Sequence, residues 1–138
     1  MLADWKYTLK EPFTHLTRRP AVPVYSGERL DIRTLANGII EITVGAGYSW
    51  DGNTFVPDLR GTHYASLLHD ALYQYVDEIS PAWGWSVWRV LQWADSVYAE
   101  RMLSDGAALA TVIIYGGAVR VVGYPFNRIM RLFRRRPK

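Results

Sequence analysis

Apolar side chains alternate at Trp5, Tyr7 and Leu9, the period of a half-buried strand. The stretch Glu11–Arg29 is punctuated by Pro12, Pro20, Pro23 and Gly27, which predicts mostly loop. Alternation returns at Leu30, Ile32 and Thr34 and again at Ile40, Ile42 and Val44, with Asn37-Gly38 between them. That pattern predicts a β-hairpin closed by a type I′ turn, whose two central residues both need positive φ. Gly45–Gly61, rich in glycine and proline, reads as loop. The period then changes. Tyr64, Leu67, Leu68, Ala71, Leu72, Tyr75 and Val76 recur at helical spacing and predict a helix over Thr62–Val76. Ser80-Pro81 offers a cap and first-turn pair for a helix over Pro81–Leu103. Val87, Leu91, Ala94, Tyr98 and Met102 share one of its faces, and Asp105-Gly106 is its stop. A third, strongly apolar helix is expected over Ala107–Val122, ended by Gly123 and Pro125. Over Phe126–Arg136, Phe126, Ile129, Met130 and Phe133 fall on one helical face and the arginines on the other.

Strands precede helices, and no repeat or long linker divides the chain. The expected fold is therefore α+β: an N-terminal antiparallel β-hairpin or small sheet packed on a C-terminal part of three to four helices. Residues 1–126 are expected to form one globular domain, and residues 127–138 a basic, helical C-terminal tail. A chain of 138 residues has room for one sizeable core. With 49% hydrophobic and 21% charged residues, wholesale disorder is excluded. The absence of cysteine excludes disulfides, thiolate metal sites and thiol nucleophiles.

Charge is unevenly spread. Met1 to Phe126 carries 10 Lys+Arg against 13 Asp+Glu. The last twelve residues carry Arg128, Arg131, Arg134, Arg135, Arg136 and Lys138 and no acid. The sequence pI of 9.3 thus describes a basic tail on a mildly acidic body. Such a tail suits an anionic membrane surface. Nucleic acid is the weaker expectation, because the body is acidic and lacks interleaved basic and aromatic residues. The N-terminus shows no basic region followed by an apolar run, so no secretory signal is expected. The most apolar stretch, Ala107–Val119, has thirteen residues. A membrane span needs about 20, so a soluble or membrane-peripheral protein is expected.

Three places carry candidate chemistry. His69 lies at the edge of the apolar face of its helix, with Tyr73 one turn on; a histidine there can be held in one tautomer and act as general base. Asp70 falls on the polar flank with His63, Ser66 and Asp77. Asp95 sits at the rim of an otherwise apolar stripe with Trp88, Leu91, Tyr98 and Met102, so its charge requires a partner. Antiparallel packing of the two helices would let Asp95 orient His69. The loop Gly47–Asp58 supplies Asp51, Asp58, Asn53, a hydroxyl and accessible carbonyls, oxygen ligands suited to Ca²⁺ or another divalent cation. Each has a structural alternative: a turn cap at Asp51-Gly52, and a buried polar pair at His69 and Asp95. Trp83, Trp85, Trp88 and Trp93 read as core plus contact surface.

The order of motifs resembles a family of small proteins encoded by tailed phages and prophages. The matching segments are Gly47-Tyr48-Ser49-Trp50-Asp51-Gly52, Leu67-Leu68-His69-Asp70-Ala71-Leu72-Tyr73, Ala94-Asp95, and Tyr115 through Val119-Arg120 to Gly123, over roughly residues 38–123. Thr54-Phe55-Val56-Pro57 departs from the commoner Ser-x-Pro form of the loop. The resemblance implies a phage virion or an infected bacterial cell as location, and other virion proteins or further copies of the chain as partners. A more distant likeness is chemical: His-Asp-x-x-Tyr on one helix, an aspartate on a later helix and a glycine-rich loop upstream are similar to phospholipase A2. That likeness implies His69 as base, Asp95 as its orienter, Tyr73 as brace, and Asp70 and Asp51 with the loop as a Ca²⁺ site. The expected activity is hydrolysis of an ester or amide in the host envelope, phospholipid or peptidoglycan, during penetration of the host or lysis. The alternative is a non-catalytic virion component of the tail, baseplate or connector.

Overall fold

The structure is a computed structural model that describes residues 6–20, 24–52 and 58–119. Its strands are β1 (Tyr7–Thr8), β2 (Phe13–Thr17), β3 (Val24–Ser26), β4 (Leu30–Thr34), β5 (Ile40–Val44) and β6 (Ser49–Trp50). Four helices follow: α1 (His63–Gln74), α2 (Val76–Trp83), α3 (Val87–Ser104) and α4 (Leu109–Ala118). The expected α+β architecture is present, an antiparallel sheet packed on a helical C-terminal part.

The main sheet has the order β2-β5-β4-β3, and β1 pairs with β6 as a separate ribbon. The register of β4 on β5 sets Leu30 opposite Val44 and Ile32 opposite Ile42. Their side chains all fall on one face, which is buried against the helices. Period-2 alternation thus becomes one wet and one dry surface. The hairpin loop differs from the type I′ expectation. Gly38 N–H donates to the Leu35 carbonyl at 2.9 Å and Leu35 N–H to the Ile39 carbonyl at 2.8 Å, which makes the loop three residues long. Only Gly38 needs positive φ (82°), and Asn37 is spared the strained conformation.

Glu11–Arg29, expected as mostly loop, contains the two edge strands β2 and β3. The reason lies in β2, where the usual pattern is inverted. Its inward positions are His15 and Thr17, paired opposite Ile42 and Ile40, while Leu16 faces outward and is 53% exposed. A strand with polar residues inside has no apolar alternation to detect. Pro12 and Pro20 bracket β2 without entering it. The Gly45–Gly61 loop likewise holds β6.

Ser80-Pro81 does not start a helix. Pro81 lies within α2, which ends at Gly84 with φ 66°. Trp85 N–H donates to the Ser80 carbonyl and Gly84 N–H to the Pro81 carbonyl, a Schellman closure. The cap of α3 is Ser86, whose hydroxyl accepts from Arg89 N–H at 3.1 Å. The α3 stop at Asp105-Gly106 is as expected.

The long helix α3 packs along α1 and also supports α2 and α4. The inner face of the sheet shares one core with α1, α2 and α3. A second cluster, with Tyr98, Met102, Val112 and Tyr115, seats α4 on α3. Trp83 packs edge-on against Trp85 and Trp93, whereas Trp88 is 42% exposed. No helix among the described residues is long and apolar enough to cross a membrane. The expectations for Trp5, for Arg120–Val122 and for the C-terminal tail lie outside the described residues.

Candidate active site

Antiparallel packing of α1 and α3 presents His69 and Asp95 to each other. His69 Nε2 lies 2.9 Å from Asp95 Oδ1, and the Tyr73 hydroxyl donates to the same oxygen at 2.7 Å. The Tyr73 ring lies over the imidazole at a centroid distance of 4.0 Å, and the Tyr98 ring flanks it at 5.0 Å. One turn of helix therefore supplies both the base and its brace, because i and i+4 share a face.

A carboxylate only accepts, so Nε2 carries the proton and the neutral ring keeps Nδ1 as an acceptor. Nδ1 makes no hydrogen bond among the described residues. The imidazole side chain is 11% exposed and the Asp95 side chain 6%. Asp95 also borders a cleft of about 350 Å³ between α3 and α4, whose lining includes Arg19, Ser96, Val112 and Ile113. The arrangement can withdraw a proton at Nδ1 and stabilise the resulting imidazolium from the opposite side of the ring.

Asp70 and Asp51 are placed differently. Asp70 is half-buried on α1, and its charge reaches Tyr98. The Tyr98 phenol is pushed well above its ordinary value, first by burial, then by Tyr115 and Asp70. Asp51 is exposed, and its Oδ1 accepts the Lys6 backbone N–H at 3.0 Å. Among the described residues no three His, Cys, Asp or Glu side chains gather as a metal-holding group. Asn53, a further oxygen donor of the loop that the phospholipase likeness implies, lies outside the described residues, and no step below passes through a metal.

The Trp-Asp-Gly loop is stitched to α1. Trp50 is buried and its Nε1 donates to Ser66 Oγ at 3.1 Å; Ser66 Oγ donates onward to the His63 carbonyl at 2.7 Å. Ser66, expected on the polar flank, is thus buried as the partner of Trp50. The Tyr48 hydroxyl donates to Gln74 Oε1 at 2.9 Å. Gly52, at φ 80°, lies so close to the Asp58 carboxylate that an added Cβ would sit 2.5 Å from Oδ1.

A second histidine–carboxylate cluster went unnoticed in the sequence. His15 Nε2 donates to Glu100 Oε1 at 2.8 Å, Thr17 Oγ1 donates to Glu100 Oε2 at 3.2 Å, and Arg101 approaches His15 Nδ1 at 3.4 Å. Burial holds the His15 pKa below its ordinary 6.5, the Arg101 charge adds to this, and Glu100 opposes it. The only signal was the polar alternation of His15 and Thr17, which marks a strand solely if its buried face is polar. In comparison with known proteins, no family model, no curated protein and no solved structure matches the chain.

Proposed function

We propose that the protein is a phage-encoded hydrolase in which His69 acts as general base on water attacking an ester or amide bond of the bacterial envelope, phospholipid or peptidoglycan. The observation that carries this reading is the polarity of the imidazole: Nε2 engaged by Asp95, Nδ1 without a partner among the described residues. In the first half of the reaction Nδ1 takes a proton from water as its oxygen adds to the carbonyl carbon. Asp95 stabilises the imidazolium, and the Tyr73 hydroxyl keeps the carboxylate in place. In the second half the same proton passes from Nδ1 to the leaving oxygen or nitrogen as that bond breaks.

The burial of Asp95 favours one other reading, in which the triad simply locks α1 to α3 in a structural virion component. Product release from labelled phospholipid vesicles and from purified peptidoglycan, with and without added Ca²⁺, separates the two. The hydrolase reading expects turnover by the parent and none by His69→Ala, with both proteins cooperatively folded. Inactivity of the parent on both substrates supports the structural reading.

A further inference from the structure

Helix α4 turns Val112 and Tyr115 inward and leaves Leu109, Ile113 and Ile114 outside, at 65%, 65% and 63% exposure. These three side chains stand on one flank of a helix with no charged residue from Leu109 to Ala118. Ile113 also lines the cleft beside Asp95, so the bare face and the cleft are continuous. Isolated exposed aliphatics are ordinary, but three large ones together on one short helix mark a contact surface.

The rest of the chain says what kind of contact. No Asp or Glu follows Asp105, while Arg120, Arg128, Arg131, Arg134, Arg135, Arg136 and Lys138 all follow α4. A second copy of the chain would match the aliphatic face but would bring the same positive charge. Nucleic acid would match the charge but not the aliphatic face. An anionic lipid surface satisfies both, with apolar side chains at the acyl boundary and arginines at the headgroups.

We propose that the outer face of α4, together with the basic residues after it, docks the protein on anionic lipid bilayers. This surface is independent of the hydrolytic reading, and its test does not use turnover. The full chain is sedimented with vesicles of phosphatidylcholine alone and of phosphatidylcholine mixed with phosphatidylglycerol. The parent should bind the mixed vesicles and bind pure phosphatidylcholine far less. Joint Ile113→Asp and Ile114→Asp substitution should lower binding by about tenfold or more without moving the melting temperature, since both side chains are already exposed. Joint Arg134→Glu, Arg135→Glu and Arg136→Glu substitution should lower binding by about tenfold or more at low salt, a difference that high salt removes. Absence of binding by the parent, or full binding by the aspartate variant, overturns the proposal. So does a dimer that the aspartate variant disperses, or duplex DNA binding without vesicle binding.

Discussion

Removing the Asp95 carboxylate should be one of the most damaging single changes to this fold. Asp95→Ala takes away the one oxygen that both His69 Nε2 and the Tyr73 hydroxyl use. Both donors lie in buried residues, so water replaces the lost bonds poorly. Each buried donor that loses this acceptor costs about 1–3 kcal/mol, so the two together should cost about 2–6 kcal/mol. Tyr73→Phe removes one bond and keeps the ring over His69, so it should cost about 1.5–2 kcal/mol. The informative quantity is the coupling. Once Asp95 is alanine, the Tyr73 hydroxyl has lost this acceptor, and Tyr73→Phe should cost less than it does in the parent. Denaturant unfolding of the parent, both single variants and the double variant, followed by two probes, gives the cycle. A coupling of at least about 1 kcal/mol is expected. Effects that add to within about 0.5 kcal/mol would mean that the two groups do not share the oxygen, and the site described above would be wrong.

Four further outcomes follow from the geometry. The His15 pKa is lower in the folded than in the unfolded chain, so its contribution is complete above about pH 6.5 and is lost as pH falls towards the folded value. The melting temperature should therefore decline below neutrality, and less so in His15→Gln. Gly61→Ala would set a Cβ 2.6 Å from the Ala107 amide nitrogen at φ 83°, and should cost at least about 2 kcal/mol by thermal or denaturant unfolding. Trp50→Phe keeps the aromatic packing but deletes the bond to Ser66, so a loss of about 1–2 kcal/mol is expected in the same assay. Arg19→Ala removes a cation that lies 3.6 Å from Glu100 and is 44% exposed, so stability should change by less than about 1 kcal/mol.

What could be read from the sequence depended on whether apolar periodicity and burial agreed. They agree in Leu30–Val44 and in Thr62–Gln74, where the apolar residues at the expected spacing reach the core, the exposed Tyr64 excepted. The convergence of His69, Tyr73 and Asp95 was legible because two lone polar residues at the rims of apolar stripes need partners, and α1 and α3 bury those stripes against each other. Periodicity failed where the buried face is polar. His15 and Thr17 hide a strand because Glu100, 83 or more residues away, supplies their partners. It also failed at Pro81, whose good fit to a helix start was overridden by the Gly84 closure and the better cap at Ser86. The loop around Asp51 is oxygen-rich in composition, which is all that the sequence offers there. Trp50 and Tyr48, reaching hydrogen-bond partners on α1, give it a structural task that composition alone does not reveal.

The proposed chemistry requires Asp95 to be an acceptor. Asp95→Asn keeps the shape, but its amide can donate to Nε2 and turn the ring to the tautomer in which Nδ1 is protonated and no longer a base. The decisive number is the turnover of Asp95→Asn relative to the parent on whichever envelope substrate the parent cleaves, under conditions where both are folded. A drop of about a thousandfold or more is predicted. Equal turnover in the two proteins would contradict the assignment of His69 as the base.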